Sequence, residues 1–176
     1  MKFHDTAIAG VVRVELEPRV DARGSFSRVF DLKEIQDRYP ALQIVQVNRS
    51  LTRERGTIRG FHHQRAPSSE EKIVQCLQGK ILDVAVDIEP GSPTYRRWVA
   101  VELSGENQEL LIVPKHCAHA FQALSADCVV EYFVSEYYTP EAEEGFLWND
   151  PAFGVRWPIR EPALSPKDER WPLLAS

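Results

Sequence analysis

The sequence has no run of 18 apolar residues, and its first ten, MKFHDTAIAG, bring a histidine and an aspartate where a secretory leader needs an apolar stretch. Neither a membrane-spanning helix nor export is therefore expected, and the cytoplasm is the expected location. Positive charge is in deficit, with 21 Lys and Arg against 26 Asp and Glu and a net charge of −5. That excludes a general nucleic-acid binder and leaves room for a local basic pocket around an anionic small molecule. Cysteine is scarce: Cys76, Cys117 and Cys128 are odd in number, lack metal-ligand spacing, and sit in or beside apolar runs, as buried thiols of a reducing compartment would. Internal repeats, low-complexity tracts and long linkers are also missing. Residues 1–176 thus read as a single domain, long enough to bury a core without disulfides or metal.

What the chain does have is short apolar segments rich in β-branched residues. KIVQCL, ILDVAVDI, WVAVEL, ELLIVP and CVVEYFV are separated by QGK, EPGSPTY and SGEN, which carry the glycine, proline and polar residues of hairpins and corners. The pattern predicts an all-β protein, an antiparallel sandwich or barrel. Only two segments read as helix, both short and peripheral. One is DLKEIQDRY behind Asp31, and the other is SPKDERWPLL with Ser165 as its cap and Pro166 in its first turn. From Thr139 onward, tryptophans and prolines suggest an irregular arm packed on the barrel or on a partner subunit.

Alternation assigns faces to ionisable groups. In CVVEYFV, Cys128, Val130, Tyr132 and Val134 share one face while Glu131 points away, so Tyr132 is directed at the interior. The same count puts Lys72 with Val74 and Cys76. Tyr132 is then either a core tyrosine bonded to a carbonyl or a functional phenol. Lys72 either reaches solvent from the strand end or is buried beside a partner.

Histidine is also sparse, with five in the chain, yet two stand together in RGFHHQ. A barrel with histidines invites comparison with the cupins, whose metal motif uses His-x-His, a nearby carboxylate and a later Pro-x-Gly-x-x-His. Here Gln64 replaces the second histidine of the first element and His116 replaces the glycine of the second. A tight metal site is not expected, and His62 and His119 look like a metal pair put to another use.

In order along the chain, DARGSF, QVN, GTIRGFHHQ, Lys72, DVAVDIEPGSPTY, LSGEN, HAF, EYFVSEYYTP, LWNDP and SPKD resemble the dTDP-4-dehydrorhamnose 3,5-epimerase family. The resemblance implies a cupin-type β-barrel (jelly roll), a homodimer and a cofactor-free enzyme that epimerises a nucleoside-diphosphate-4-keto-6-deoxyglucose in deoxysugar biosynthesis of the O-antigen kind. It implies His62 as the base, Asp168 as its partner, Lys72 as the cation at the enolate oxygen and Tyr132 as the opposite-face acid. His63 would point away from the site. For Asp168 a role as helix cap is an equally physical reading. The resemblance further carries Arg23, Arg59 and Lys167 toward diphosphate and sugar, Gln46 and Asn48 toward the nucleotide, and His119 and Tyr138 toward the sugar.

Some positions depart from the family pattern. Arg28 stands where a glutamate near thymine is usual, and an arginine that only donates suits the acceptors of cytosine. A CDP-linked substrate is therefore expected as readily as a dTDP-linked one. Phe133, His116, Cys117 and Ala120 also differ, near the site mouth, which leaves open a single-centre 3- or 5-epimerase. Outside this reading stand a metal-dependent cupin oxygenase or isomerase and a non-catalytic sugar-binding cupin module.

Overall fold

The computed structural model describes residues 1–174. Its strands are β1 (Lys2–Asp5), β2 (Val12–Glu15), β3 (Arg19–Asp21), β4 (Gly24–Phe26), β5 (Gln46–Thr52), β6 (Ile58–Gln64), β7 (Lys72–Gln78), β8 (Lys80–Asp87), β9 (Trp98–Ser104), β10 (Glu109–Val113), β11 (Cys117–Ala123), β12 (Cys128–Val134) and β13 (Glu143–Gly145). Two antiparallel sheets, ordered β1-β2-β10-β7-β12-β5 and β13-β6-β11-β8-β9, form the expected jelly roll, and β3 and β4 make a separate hairpin. All five apolar runs singled out in the sequence are strands. Their connections divide by kind. EPGSPTY joins paired β8 and β9 as a hairpin, whereas QGK and SGEN carry the chain from one sheet to the other. At the first corner Gly79 has φ +77° and lies so close to Ser125 and Cys128 that a side chain would collide with both.

Three apolar clusters explain why these strands read as nearly continuous hydrophobic runs. Val74, Cys76, Ile81, Leu103, Leu111, Phe121 and Val130 fill the space between the sheets. Ile73, Leu110 and Ile112 face outward from the six-stranded sheet and are covered by Ile35 and Leu42. Ile58, Phe61, Val84 and Val86 face outward from the five-stranded sheet under Phe153 and Trp157. Strands covered on both faces need apolar residues on both. The arm after Thr139 accordingly packs on its own barrel. Buried Gln122 on β11 pins it by donating to the Ile159 carbonyl at 2.9 Å and accepting from the Ile159 amide at 3.0 Å.

Helix α1 (Leu32–Gln36) starts at Asp31, whose carboxylate accepts from the amides of Lys33 and Glu34 and so satisfies two of the unpaired N–H groups of the first turn. It buries Ile35. The second expected helix is corrected to a single 3₁₀ turn, Asp168–Arg170. Pro172 disfavours a helical conformation for Trp171, which is extended at ψ 145°, so the helix cannot propagate. The Ser165 hydroxyl still accepts from the Asp168 amide at 3.1 Å, as the sequence led one to expect of a cap. All three cysteines are buried free thiols, and burial pushes the Cys117 thiol well above its ordinary value. No helix among the described residues is long and apolar enough to cross a membrane.

Candidate active site

The site lies between the sheets, where His62 enters from β6. Strict alternation along that strand would send Arg59 and His62 to opposite faces, since they are three residues apart. Instead the pairing with β11 shifts register: His119 stands opposite His62, while Phe121 stands opposite Arg59. One extra residue on β6 puts both side chains on the inner face and turns Ile58 and Phe61 outward. Gly60 permits this. At φ +120° it approaches β11 so closely that a Cβ would lie 2.5 Å from the His119 carbonyl oxygen and 2.6 Å from the Ala120 Cβ.

His62 Nε2 donates to Asp168 Oδ1 at 2.6 Å across 106 residues of chain. The neutral ring then carries its lone pair on Nδ1, the arrangement a general base requires. Asp168 is almost fully buried, its Oδ2 accepts from the Ser165 hydroxyl at 2.9 Å, and Trp171 Nε1 donates to its Oδ1 at 3.3 Å. Burial alone would raise this carboxyl, but the bonds from His62, Ser165 and Trp171 outweigh it and hold it below the usual carboxylate range. The Asp168 amide closes the Ser165 turn, while its carboxylate serves as the histidine partner and makes no side-chain cap. The turn reaches His62 because Gly145 of β13, opposite His62 in the ladder, has no side chain; a Cβ there would lie 2.6 Å from the Trp171 ring.

The facing wall belongs to the other sheet. Lys72 begins β7 and Tyr132 lies on β12, both inward as alternation required. Lys72 is largely buried with a partner the sequence reading missed: Glu70 Oε1 lies 3.2 Å from its ammonium, and each side chain is 12% exposed. Burial, with the Glu70 charge adding to it, pushes the Tyr132 phenol above its ordinary value, so it is held protonated. Two adjoining hollows of about 290 and 430 Å³ share His62, Lys72 and Tyr132 in their lining.

Arg59, His119 and Lys167 line the smaller hollow, and Gln46, Asn48 and Tyr138 the larger. Arg59 bonds only neutral groups, Thr52 Oγ1 at 3.0 Å and the Leu51 carbonyl at 3.2 Å, and no carboxylate pairs with it among the described residues. Its charge is available to an anion. His119 Nε2 donates to Asp83 Oδ1 at 2.7 Å, and the other oxygen of this fully buried carboxylate has no partner among the described residues. Asp83 was also missed, although it sits in ILDVAVDI on the inner face beside Ile81 and Ala85. Lys167 and the Tyr138 hydroxyl both bond Glu143 Oε2, an acid brought in by β13 that no local pattern announces. His63 stacks its ring on Phe146 of the outer layer at 5.5 Å and 3° yet also borders the larger hollow, and burial lowers its pKa. Gln64, where a cupin metal ligand would stand, is committed as an amide: it accepts from the Thr139 amide at 2.6 Å and donates toward Ser68, Glu70 and Tyr137. Among the described residues no three His, Cys, Asp or Glu side chains converge as a metal site.

Two expected ligand residues do not reach the cavity within one chain. Arg23 and Arg28 line neither hollow; Arg23 sits on the β3–β4 hairpin, 89% exposed and bonded to Asp21, and Arg28 bonds the α1 cap Asp31 at 3.1 Å. Within one chain the hairpin pairs with neither sheet.

A jelly roll whose cavity sets a histidine–aspartate pair against a lysine and a tyrosine defines a cupin-type enzyme equipped for proton transfer. Comparison with known proteins gives the family: residues 5–176 match the model of dTDP-4-dehydrorhamnose 3,5-epimerase, and the chain belongs to that family of nucleotide-sugar epimerases. It is 42% identical to the dTDP-4-dehydrorhamnose 3,5-epimerase of Sinorhizobium fredii over 99% of this chain and 90% of the relative. The Bacillus anthracis enzyme of the same name, solved with TDP and pyrophosphate bound, superposes with a TM-score of 0.95 at 38% identity, covering 98% of this chain and 99% of that one. A 3'-monoepimerase from Streptomyces bikiniensis, solved with dTDP-quinovose, gives a TM-score of 0.89 at 31% identity over 97% and 86%.

Proposed function

We propose that this enzyme inverts C3 and C5 of dTDP-4-keto-6-deoxyglucose through an enolate. The observation that carries the reading is the opposition of walls: His62 lies on one sheet, Lys72 and Tyr132 on the other, around one cavity. A 4-keto group acidifies the hydrogens on both flanking carbons, yet the carbon acid stays weak, so a base needs help at the developing oxyanion. His62 removes the proton through Nδ1 while Asp168 supports the imidazolium. Lys72 stabilises the oxygen on C4. Tyr132 then delivers a proton to the opposite face, which inverts the centre. Each proton removed is replaced by one, with no change of redox state, so the steps balance without a cofactor.

The diphosphate is assigned to the Arg59 end of the cavity, with Lys167 and His119 on its sugar side and Gln46, Asn48 and Tyr138 in the adjoining hollow. The dTDP names of the relatives favour thymidine over the cytosine that Arg28 suggested. A homodimer fits the exposed apolar side chains Val20 and Phe26 on the hairpin and Val47 and Leu51 on edge strand β5. In such a dimer the hairpin of a second copy is free to bring Arg23 and Arg28 toward the nucleotide. The three reduced thiols fit a cytoplasmic enzyme, and the product fits deoxysugar supply for surface polysaccharide.

The test is incubation in D₂O with dTDP- and CDP-4-keto-6-deoxyglucose, with NMR detection of deuterium at C3 and C5. Label at both carbons of the dTDP substrate is expected. Label at one alone would make the protein a monoepimerase, preference for CDP would reverse the base assignment, and no label with either would sink the catalytic reading.

A further inference from the structure

Glu70 lines the larger hollow and contacts the lysine of the proposed mechanism, yet it has no place in the chemistry written above. It sits in the connection from β6 to β7, one oxygen 3.2 Å from Lys72 Nζ and the other accepting from Gln64 Nε2 at 3.3 Å. Gln64 is itself fixed, 3% exposed and tied to the backbone of Ser68, Tyr137 and Thr139. The carboxylate is thus clamped on one side by an amide that cannot swing away and holds an ammonium on the other.

A lysine ammonium is a compact charge on a flexible four-carbon stem and goes to the strongest anion in reach. A nucleoside diphosphate brings such an anion into the same cavity. Left free, Lys72 would pair with the diphosphate in the ground state, which tightens binding without lowering the barrier. Held at its wall beside Tyr132, it meets the charge that develops on the sugar oxygen only in the transition state.

We propose that Glu70, clamped by Gln64, is a positioning residue that restrains Lys72 for the sugar oxyanion and keeps it from the diphosphate. This rests on the reading of Lys72 given above. It also gives a function to Gln64 at the place of a metal-binding histidine.

Glu70→Gln removes the charge and keeps the volume. The expected result is a split: kcat falls by about ten- to a hundredfold, as for a catalytic group misplaced by an ångström, while dTDP, measured by calorimetry without turnover, binds about fivefold tighter, the worth of one partly exposed ion pair. In a Lys72→Met background the same change is expected to alter neither quantity further, because Glu70 acts through the lysine. A merely structural role would weaken binding and turnover together in both backgrounds, and that result would overturn the proposal, as would an unchanged kcat. Should Glu70→Gln not fold, Glu70→Ser reads the same quantities. An inactive wild-type protein would instead count against the epimerase reading, so the two failures are distinguishable.

Discussion

Replacing Asp168 by asparagine removes a charge from the site and almost no volume. The new side chain keeps an oxygen to accept from His62 Nε2, which bonds the native carboxylate at 2.6 Å, and the Ser165 hydroxyl can accept from the amide that replaces the second oxygen. No polar group need be left stranded, so the variant isolates the charge. What it loses is the anion beside the imidazolium that forms when His62 takes a proton. Removing one partner of a buried pair costs about 3–5 kcal/mol. His62 is 30% exposed, so the lower end applies, and about 3 kcal/mol at about 1.36 kcal/mol per decade is roughly a 10²-fold loss of kcat. If the amide turns the other way its N–H₂ faces Nε2, the ring adopts the opposite tautomer, and the base is lost as well. The assay is deuterium incorporation at C3 and C5 of dTDP-4-keto-6-deoxyglucose, with dTDP binding and thermal unfolding as controls for integrity. Ser165→Ala serves as the contrast, since it removes the capping bond, worth about 0.5–2 kcal/mol of stability, and leaves the carboxylate on His62. A folded Asp168→Asn protein within threefold of wild-type rate would refute the assignment and leave Asp168 as part of the cap alone.

Tyr132→Phe is expected to keep exchanging substrate protons from the His62 side while losing roughly 10²–10⁴-fold of net inversion; equal loss of exchange and inversion in the NMR assay would deny the two groups separate faces. Gly60→Ala forces a Cβ against the His119 carbonyl at φ +120°, so urea unfolding should show at least about 2 kcal/mol of destabilisation, and a smaller effect would remove the stated reason for glycine there. The pH dependence of Asp168 follows from its lowered pKa. A carboxyl held below its unfolded value of about 3.9 adds stability above that pH and forfeits it as the pH falls through the folded pKa. The stability gap between wild type and Asp168→Asn should therefore narrow only as the pH drops below about 4, and a gap that closes already near neutrality would contradict the pairing.

Legible in the sequence were strands β7, β8, β9, β10 and β12, the inward direction of Lys72 and Tyr132, the short helix behind Asp31 and, through the ordered motifs, the family. These are local properties: alternation with period two, turn residues with special dihedral angles, and a side chain bonding amides two or three positions on. Asp83 was legible by the same alternation and went unread. The rest depends on tertiary packing. Alternation along β6 would have separated Arg59 from His62, and a register shift, possible because Gly60 can press against β11, brought them into one cavity. No local pattern near Asp168 tells it to meet His62, a pairing that the resemblance alone implied; the bare face of Gly145 admits Trp171, and the turn that carries the carboxylate docks behind it. The second helix stopped after one turn, and the hairpin bearing Arg23 stayed outside the cavity. Each of these outcomes depends on how closely two distant backbones approach, and that distance is set by the residues packed between them, which no local pattern encodes.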